Sequence, residues 1–138
     1  MPNIFVIECK YSNLAKLRHY MENSLKENSI DDTVSFQLVM AVDELCANII
    51  EHSCTQKPDD FIQIELKKQK NQVVIKIIDK GNSFDPKEHC PLSVKDLIKK
   101  KANGGLGLRI VSKFIDKIEY EVKNKLNICT LYKNIVLK

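Results

Sequence analysis

The sequence predicts an α+β fold, a two-layer sandwich in which a mixed, mostly antiparallel sheet carries helices on one face. The strand-like runs come in consecutive pairs instead of alternating with helices, which favours hairpins over βαβ units. Two helical patterns precede the first of these pairs. The chain has 138 residues, of which 43% are hydrophobic. This length and composition support one folded domain over residues 1–138.

The first part of the chain predicts one strand and two helices. The run from Ile4 to Cys9 is short and apolar, as in a strand. Apolar residues then recur at helical spacing, and Ser12 stands where an N-cap is expected. These residues are Leu14, Leu17, Met21 and Leu25. A second helix, from about Thr33 to His52, is apolar on nearly every side and is therefore expected to be mostly buried.

The rest of the chain predicts two hairpins with helices between them. Residues 61–69 alternate with period two, and residues 73–79 are rich in β-branched side chains, so these two runs are predicted to form a hairpin. A short helix over 93–101 and a longer one over 108–116 follow. Two closing strands, over 117–122 and 127–137, are joined by a turn near Asn124.

The composition of the chain indicates which classes of function are not expected. The net charge is +4, only 7% of residues are aromatic, and no nucleic-acid reader motif occurs, so direct nucleic-acid binding is not expected. The five cysteines form no CxxC pair, which predicts neither a disulfide framework nor a zinc site and favours a reducing cytoplasm. Neither a signal peptide nor an apolar run of ~20 residues is recognised, so no membrane association is expected.

The stretch VDELCANIIEHS places two polar side chains on an otherwise apolar helix. Glu44 and Asn48 are four residues apart and share one face, with His52 one turn further on. A buried carboxylate is costly unless it is paired, hydrogen-bonded or bound to a metal. A carboxylate and an amide oxygen together suit a hard cation such as Mg²⁺. The alternative is a polar stripe that faces solvent.

Two further motifs contain glycine. In IIDKGNSFDP, Asp79 ends a predicted strand, and Gly81 would allow a ligand to approach the backbone; an ordinary turn is the alternative. In NGGLGLRIV, three glycines, Gly104, Gly105 and Gly107, precede a helix whose first N–H groups would favour a phosphate. A flexible hinge is the alternative there. This loop is neither a Walker loop nor a dinucleotide fingerprint.

The order and spacing of the three motifs resemble the ATP-binding fold shared by DNA gyrase, sensor histidine kinases and mismatch-repair ATPases. Within that superfamily the sequence is most similar to the bacterial anti-sigma-factor serine kinases, also called switch-protein or stress-response kinases. The similarity covers almost the whole chain. One departure is Cys129, which stands where the closing strand of that family usually has glycine before threonine.

The resemblance implies a role for each motif residue. Asn48 would coordinate the Mg²⁺ that bridges the nucleotide phosphates, and Glu44 would be the general base. Asp79 would accept the adenine amino proton, Gly81 would pack against the base, and Thr130 would support Asp79 through a shared water. The last loop would contact the phosphates through its backbone. Its residues are Gly104, Gly105, Leu106 and Gly107.

The resemblance also implies a function. The chain would use ATP and Mg²⁺ to phosphorylate a Ser or Thr on a small antagonist protein, and it would sequester a sigma factor or a similar regulator. Proteins of this kind are commonly homodimers in the cytoplasm. Two alternatives stay open, which are a non-catalytic nucleotide-dependent interaction module and the isolated ATP-binding domain of a histidine kinase.

Other polar residues receive weaker expectations. The segment from Asn82 to Asn103 would form a lid over the nucleotide. Lys99 to Lys101 would contact phosphates or a partner, or would form a solvated surface. His52 is expected to make a structural hydrogen bond at its helix end. The sequence shows no spacing typical of a hydrolase triad.

Overall fold

The computed structural model describes residues 3–52, 60–80 and 111–135. Two helices and five strands are bounded within these ranges, and residues 111–114 are helical as well. In chain order the elements are β1 (Asn3–Glu8), α1 (Leu14–Glu27), α2 (Asp32–His52), β2 (Phe61–Gln69), β3 (Gln72–Asp79), β4 (Lys117–Lys123) and β5 (Leu126–Asn134).

The five strands form a single sheet in the order β1-β2-β3-β5-β4. Each pair of neighbouring strands in it is antiparallel. The predicted α+β fold is therefore confirmed, and among the described strands the sheet is antiparallel throughout, without the parallel pair that a mixed sheet would contain. Both predicted hairpins, β2 with β3 and β4 with β5, are present.

One face of the sheet packs against the helices and forms the core. Because side chains alternate along a strand, every second residue of each strand points to this inner face. Ile64, Ile77 and Cys129 are register partners across β2, β3 and β5, and all three are buried. Leu17, Met21 and other buried apolar residues of α1 and α2 complete the cluster.

The helix starts differ in how well the sequence predicts them. Ser12 is not the N-cap of α1, because it lies inside a 3-10 turn, Tyr11–Asn13, and the N-cap position falls to Asn13. The side chain of Asn13 donates instead to the carbonyl of Glu8 at 3.1 Å. At α2, the carboxylate of Asp31 accepts a hydrogen bond from the backbone N–H of Thr33 at 3.1 Å, as expected for a helix cap.

Two features of the structure differ from the sequence-based expectations. Cys9 is disulfide-bonded, whereas Cys46 and Cys129 are free and buried. The sequence predicted no disulfide framework and a reducing cytoplasm, and a disulfide at Cys9 differs from the second of these expectations. By length and composition alone, residues Asp32–Glu51 also qualify as a membrane-crossing helix, with half of that window buried inside the fold. Core helices of soluble proteins pass the same test, so this is weak evidence for a membrane span.

Several predicted features lie outside the described residues. They are Gly81, the glycine loop (Gly104, Gly105, Leu106 and Gly107), the proposed lid from Asn82 to Asn103 with Lys99 to Lys101, and the side chain of His52.

Candidate functional site

The polar stripe of α2 is the first component of the site. Glu44 and Asn48 are one helical turn apart, a rise of about 6 Å along the axis. Asn48 is only 8% exposed, and Glu44 is half-buried. Their neighbours Leu45 and Ile49 are buried apolar residues of the core. The helix therefore holds both polar groups at the margin of the core and not on a solvated surface.

Asn48 carries an unsatisfied polar atom. Its amide nitrogen, Nδ2, is buried and has no hydrogen-bond partner among the described residues. Leaving a buried donor unpaired costs about 1–3 kcal/mol, so native folds seldom keep one without a reason. The amide has one oxygen for a cation and two N–H groups for an anion or a water molecule. This donor set fits a ligand that contains both a divalent cation and phosphate oxygens.

Asp79 is the second component. It is the last residue of β3 and is 3% exposed. Its register partner on β5 is Asn127, which is equally buried. The Asn127 amide donates a hydrogen bond from Nδ2 to Asp79 Oδ2 at 3.2 Å. This bond offsets part of the cost of burying a carboxylate at the end of the strand.

Asp79 lies on the face of the sheet that packs against the helices, because Ile77, two residues earlier on β3, is a buried member of the core cluster. Burial is the main reason that the pKa of Cys46 lies well above its usual value. The negative charge of Asp43, the Cys129 thiol and the negative charge of Asp79 raise this pKa further. Cys46 of α2 and Ile77 of β3 belong to the same buried cluster, so α2 covers the face of the sheet on which Asp79 lies.

The structure separates Thr130 from Asp79. Thr130 is the register partner of Lys76, whereas Asp79 is paired with Asn127. Because Asn127 and Thr130 are an odd number of residues apart, their side chains point to opposite faces of the sheet. The sequence-based expectation that Thr130 supports Asp79 does not match this placement. Asn127 takes that position and was not singled out from the sequence.

A signal for Asn127 was present in the sequence. Asn127, Cys129 and Leu131 alternate along the closing strand, and all three are buried on the inner face. Period-two counting therefore places Asn127 on the same face as the core, with Thr130 on the other. The pairing of Asn127 with Asp79 additionally requires the register between β3 and β5, which alternation alone does not supply.

Residues 111–115, which follow the predicted glycine loop in the sequence, pack against the hydrophobic core. Val111 and Ile115 are buried members of the hydrophobic cluster. The side-chain ammonium of Lys133 on β5 donates to the carbonyl of Phe114 at 2.6 Å. The C-terminal end of this helical segment is thus held against the sheet by both apolar packing and a hydrogen bond.

A metal site built from protein side chains alone is not found in the part of the chain that the structure describes. No group of three or more His, Cys, Asp or Glu side chains there is arranged to hold an ion. Mg²⁺ is usually bound through one or two protein oxygens, with phosphates and waters as its remaining ligands. The Asn48 amide oxygen is a donor of the kind that this ion accepts.

A separate groove of about 370 Å³ lies along α1 and α2. The pair formed by Arg18 and Asp43, with Nη1 and Oδ1 2.9 Å apart, borders it. Neither Glu44, Asn48 nor Asp79 lines this groove. It is therefore distinct from the site formed by α2 and the end of β3.

Comparison with known proteins gives a family match over most of the chain. Residues 7–133 match the histidine kinase-like ATPase domain. The chain is 24% identical over 113 residues to the serine/threonine-protein kinase BtrW of Bordetella bronchiseptica, covering 82% of this chain and 80% of that protein. It is also 28% identical over 93 residues to the serine-protein kinase RsbW of Bacillus pumilus, covering 63% of this chain and 57% of that protein.

Solved structures show the same fold. The RsbU and RsbW domains of Rv1364c from Mycobacterium tuberculosis match with a TM-score of 0.67 and 15% identity, over 99% of this chain and 35% of that longer chain. A blue-light activated histidine kinase domain from Erythrobacter litoralis EL346 matches with a TM-score of 0.59 and 13% identity, over 94% of this chain and 62% of that chain.

These matches confirm the sequence-based assignment to the ATP-binding superfamily and its resemblance to the anti-sigma-factor serine kinases. The family match spans β2, β3 and β5, and it includes the α2 stripe and the buried pair of Asp79 and Asn127. The chain belongs to the histidine kinase-like ATPase domain family.

Proposed function

We propose that this protein is an ATP-dependent protein serine/threonine kinase that also sequesters a regulator. The observation that carries the proposal is the buried Asn48 amide with its unsatisfied Nδ2, one turn after Glu44 on the helix that packs against the sheet face of Asp79. Two similar proteins, BtrW and RsbW, are named as serine/threonine- or serine-protein kinases, which supports the reaction class.

ATP would occupy the region between α2 and the end of β3. Asp79 would accept a hydrogen bond from the adenine amino group, and Gly81 would allow the base to approach the backbone. Gly104, Gly105, Leu106 and Gly107 would contribute backbone N–H groups to the phosphates. Asn48 would hold Mg²⁺ through its amide oxygen; when bound, the ion neutralises phosphate charge and orients the phosphates.

Glu44 would act as the general base. The hydroxyl oxygen of the acceptor Ser or Thr forms a bond to the γ-phosphorus while the bond from that phosphorus to the β–γ bridging oxygen breaks. Glu44 takes the hydroxyl proton, and ADP leaves with the bridging oxygen. A well-placed base contributes about 10²–10⁴-fold to such a step. Half-burial of Glu44 leaves it reachable by an acceptor that approaches from solvent.

The proposed partners follow from the kinases that the chain resembles. The acceptor is a small antagonist protein with a phosphorylatable Ser or Thr, and the sequestered partner is a sigma factor or an analogous regulator. The functional unit is a homodimer in the cytoplasm, without direct contact to nucleic acid or membrane. Disulfides are rare in a reducing cytoplasm, so the redox state of Cys9 in cells tests the proposed location.

Calorimetric titration of the full chain with ATP and Mg²⁺ tests the nucleotide site. The wild type should bind in the micromolar to submillimolar range. Asn48→Ala should lose the part of the affinity that depends on Mg²⁺, whereas Glu44→Gln should still bind because the base acts only in the transfer step. Glu27→Gln, an exposed carboxylate on α1, is the matched control and should bind like the wild type.

Transfer is then measured with candidate acceptor proteins and γ-labelled ATP. Glu44→Gln should reduce the rate by at least about 10²-fold while nucleotide affinity is preserved. If the wild type and Glu44→Gln bind ATP equally and neither transfers phosphate to any acceptor, the chain is a nucleotide-dependent interaction module. Transfer to a histidine would instead identify it as a histidine kinase domain. A folded wild type that binds no nucleotide would refute the whole proposal.

A further inference from the structure

We infer that Asn127 is a specificity-determining residue of this site, which enforces selection of adenine over other purines by holding the Asp79 carboxylate in its accepting orientation. The inference rests on the proposed nucleotide site and adds a residue to it. Neither the motifs in the sequence nor the resemblance to kinases pointed to Asn127.

The backbone fixes the relationship between the two side chains. Asp79 and Asn127 are register partners on adjacent antiparallel strands, so their Cβ atoms lie about 4.5–5.5 Å apart on one face of the sheet. Each residue is 3% exposed. The hydrogen bond between them, 3.2 Å from Nδ2 to Oδ2, joins residues 48 positions apart in the chain. The pairing of β3 with β5 therefore fixes this contact, which does not depend on the conformation of a loop.

The chemistry of the pair explains how it selects a base. An ionised carboxylate only accepts hydrogen bonds, and it has about four lone-pair positions for donors. One donor from Asn127 therefore restrains the carboxylate and still leaves it capacity to accept another. The adenine amino group is a donor, whereas guanine presents a carbonyl oxygen at the equivalent position, which an ionised Asp79 repels.

Loss of Asn127 would weaken this discrimination. A buried carboxylate that loses one of its donors becomes easier to protonate, because hydrogen bonds stabilise the charged form and burial favours the neutral form. A protonated Asp79 has an O–H that donates, so it would tolerate the guanine carbonyl oxygen. The site would bind adenine nucleotides more weakly and guanine nucleotides more tightly, while its contacts with the phosphates would not change.

A second asparagine on β5 provides a matched control. Asn134 is the register partner of Gln72 at the opposite end of the same strand pair. It accepts a hydrogen bond from Gln72 Nε2 at 3.2 Å and is exposed. Asn134→Ala thus removes a similar cross-strand contact between the same two strands, away from Asp79.

The test compares three nucleotides with Mg²⁺ on the full chain: ATP, GTP and the triphosphate of purine riboside, which lacks the 6-amino group. Asn127→Ala should weaken the binding of ATP by about 10–100-fold. It should leave the dissociation constant of purine riboside triphosphate within about 3-fold of the wild-type value. The ratio of the dissociation constants of GTP and ATP should fall by at least about 10-fold. Asn134→Ala should leave all three affinities unchanged.

Further variants keep the inference testable if Asn127→Ala does not fold. Asn127→Thr retains a donor and should keep more ATP selectivity than Asn127→Leu, which has a similar shape without a donor. Equal weakening of all three nucleotides by the Asn127 variants would show a merely structural role and overturn the inference. So would loss of ATP selectivity in Thr130→Val together with its retention in Asn127→Ala. A folded wild type that binds none of the three refutes the proposed function itself.

Discussion

The side-chain ammonium of Lys133 lies 2.6 Å from the carbonyl oxygen of Phe114, where the helical residues 111–114 end. The last carbonyls of a helix have no intrahelical partners, and a cation there also interacts favourably with the helix dipole. Two residues on, the Asp116 carboxylate accepts a hydrogen bond from the backbone N–H of Asn134. The two contacts fasten the end of this helix to β5.

Lys133→Met should therefore lower the free energy of unfolding by about 1 kcal/mol, because it removes the charged donor and keeps most of the apolar stem. Urea denaturation monitored by circular dichroism measures the change. Lys123→Met, at an exposed lysine of the neighbouring strand β4, is the control and should shift stability by less than about 0.5 kcal/mol. Equal effects of the two substitutions would show that the Phe114 contact contributes nothing.

The hairpin between β4 and β5 contains a strained turn. Asn124 and Lys125 have φ values of 53° and 66°, as in a type I′ turn, which favours Asn followed by Gly. Lys125→Gly should raise the free energy of unfolding by about 0.5–1 kcal/mol, because glycine adopts positive φ without the steric cost of a Cβ. Thermal unfolding or urea denaturation at neutral pH measures it.

The β2–β3 hairpin supplies the control for this substitution. Lys70 also occupies a two-residue loop, yet it is not among the described non-glycine residues with positive φ. Lys70→Gly should lower the free energy of unfolding by about 0.5–1 kcal/mol, because glycine at this position only increases the conformational entropy of the unfolded chain. If both substitutions change stability in the same direction, the φ value of Lys125 does not explain its effect.

Local patterns in the sequence were sufficient to predict the strands and the two long helices that the structure describes, whereas the long-range geometry was not predictable from them. The alternation in residues 61–69 predicted β2, and the polar stripe of Glu44 and Asn48 was recognisable because both lie on one helix. The contact between Asp79 and Asn127 depends on the register of β3 against β5, two strands whose paired residues are 48 positions apart in the chain. The role of Thr130 was implied by the family resemblance, which does not specify the face of the sheet on which its side chain lies.

The start of α1 is a second, more local feature that the sequence pattern did not predict correctly. Ser12 has the chemistry of an N-cap, but the chain first makes a 3-10 turn at Tyr11–Asn13, and this moves the helix start by one residue. Asn13 uses its amide to bind the carbonyl of Glu8 and does not cap the helix with its side chain. The choice between two adjacent polar residues depended on how β1 ends, which propensity does not encode.

The buried thiol of Cys46 predicts a pH dependence of stability. Burial raises the pKa of Cys46 above that of an unfolded cysteine, so the folded state holds this proton more tightly. The stabilisation is fully present below the unfolded pKa of about 8.5 and is lost as the pH rises above it. Between pH 8.5 and 9.5 the free energy of unfolding should fall by up to about 1.4 kcal/mol more in the wild type than in Cys46→Ala.

The same burial predicts low reactivity of Cys46. The thiolate is the reactive form of a cysteine. The raised pKa of Cys46 keeps its thiol protonated, and burial keeps reagents away from it. Alkylation at pH 8 followed by peptide mass spectrometry should show Cys46 unmodified in the native protein and modified in urea. Fast labelling of Cys46 in the native protein, or identical pH profiles for the wild type and Cys46→Ala, would contradict its assignment to the core.

Asn48 should show opposite effects on stability and on binding. Its Nδ2 is buried without a hydrogen-bond partner among the described residues, so replacing the amide by an apolar group removes a desolvation cost. Asn48→Leu should therefore raise the free energy of unfolding without ligand by about 1–3 kcal/mol. The same substitution should abolish the increase in melting temperature that ATP and Mg²⁺ produce in the wild type, since it removes the proposed metal ligand.

Asn28 is the matched amide for this comparison. Its Nδ2 donates to the carbonyl of Ser24 at 2.7 Å, so this amide is satisfied in the protein without ligand. Asn28→Leu should lower stability by about 0.5–1.5 kcal/mol and leave the ligand-induced shift in melting temperature intact. A stabilised Asn48→Leu that no longer responds to nucleotide would show that the fold maintains Asn48 at a cost in stability because the ligand requires it. A destabilised Asn48→Leu with a normal ligand response would show that the Asn48 amide belongs to the core and not to the site.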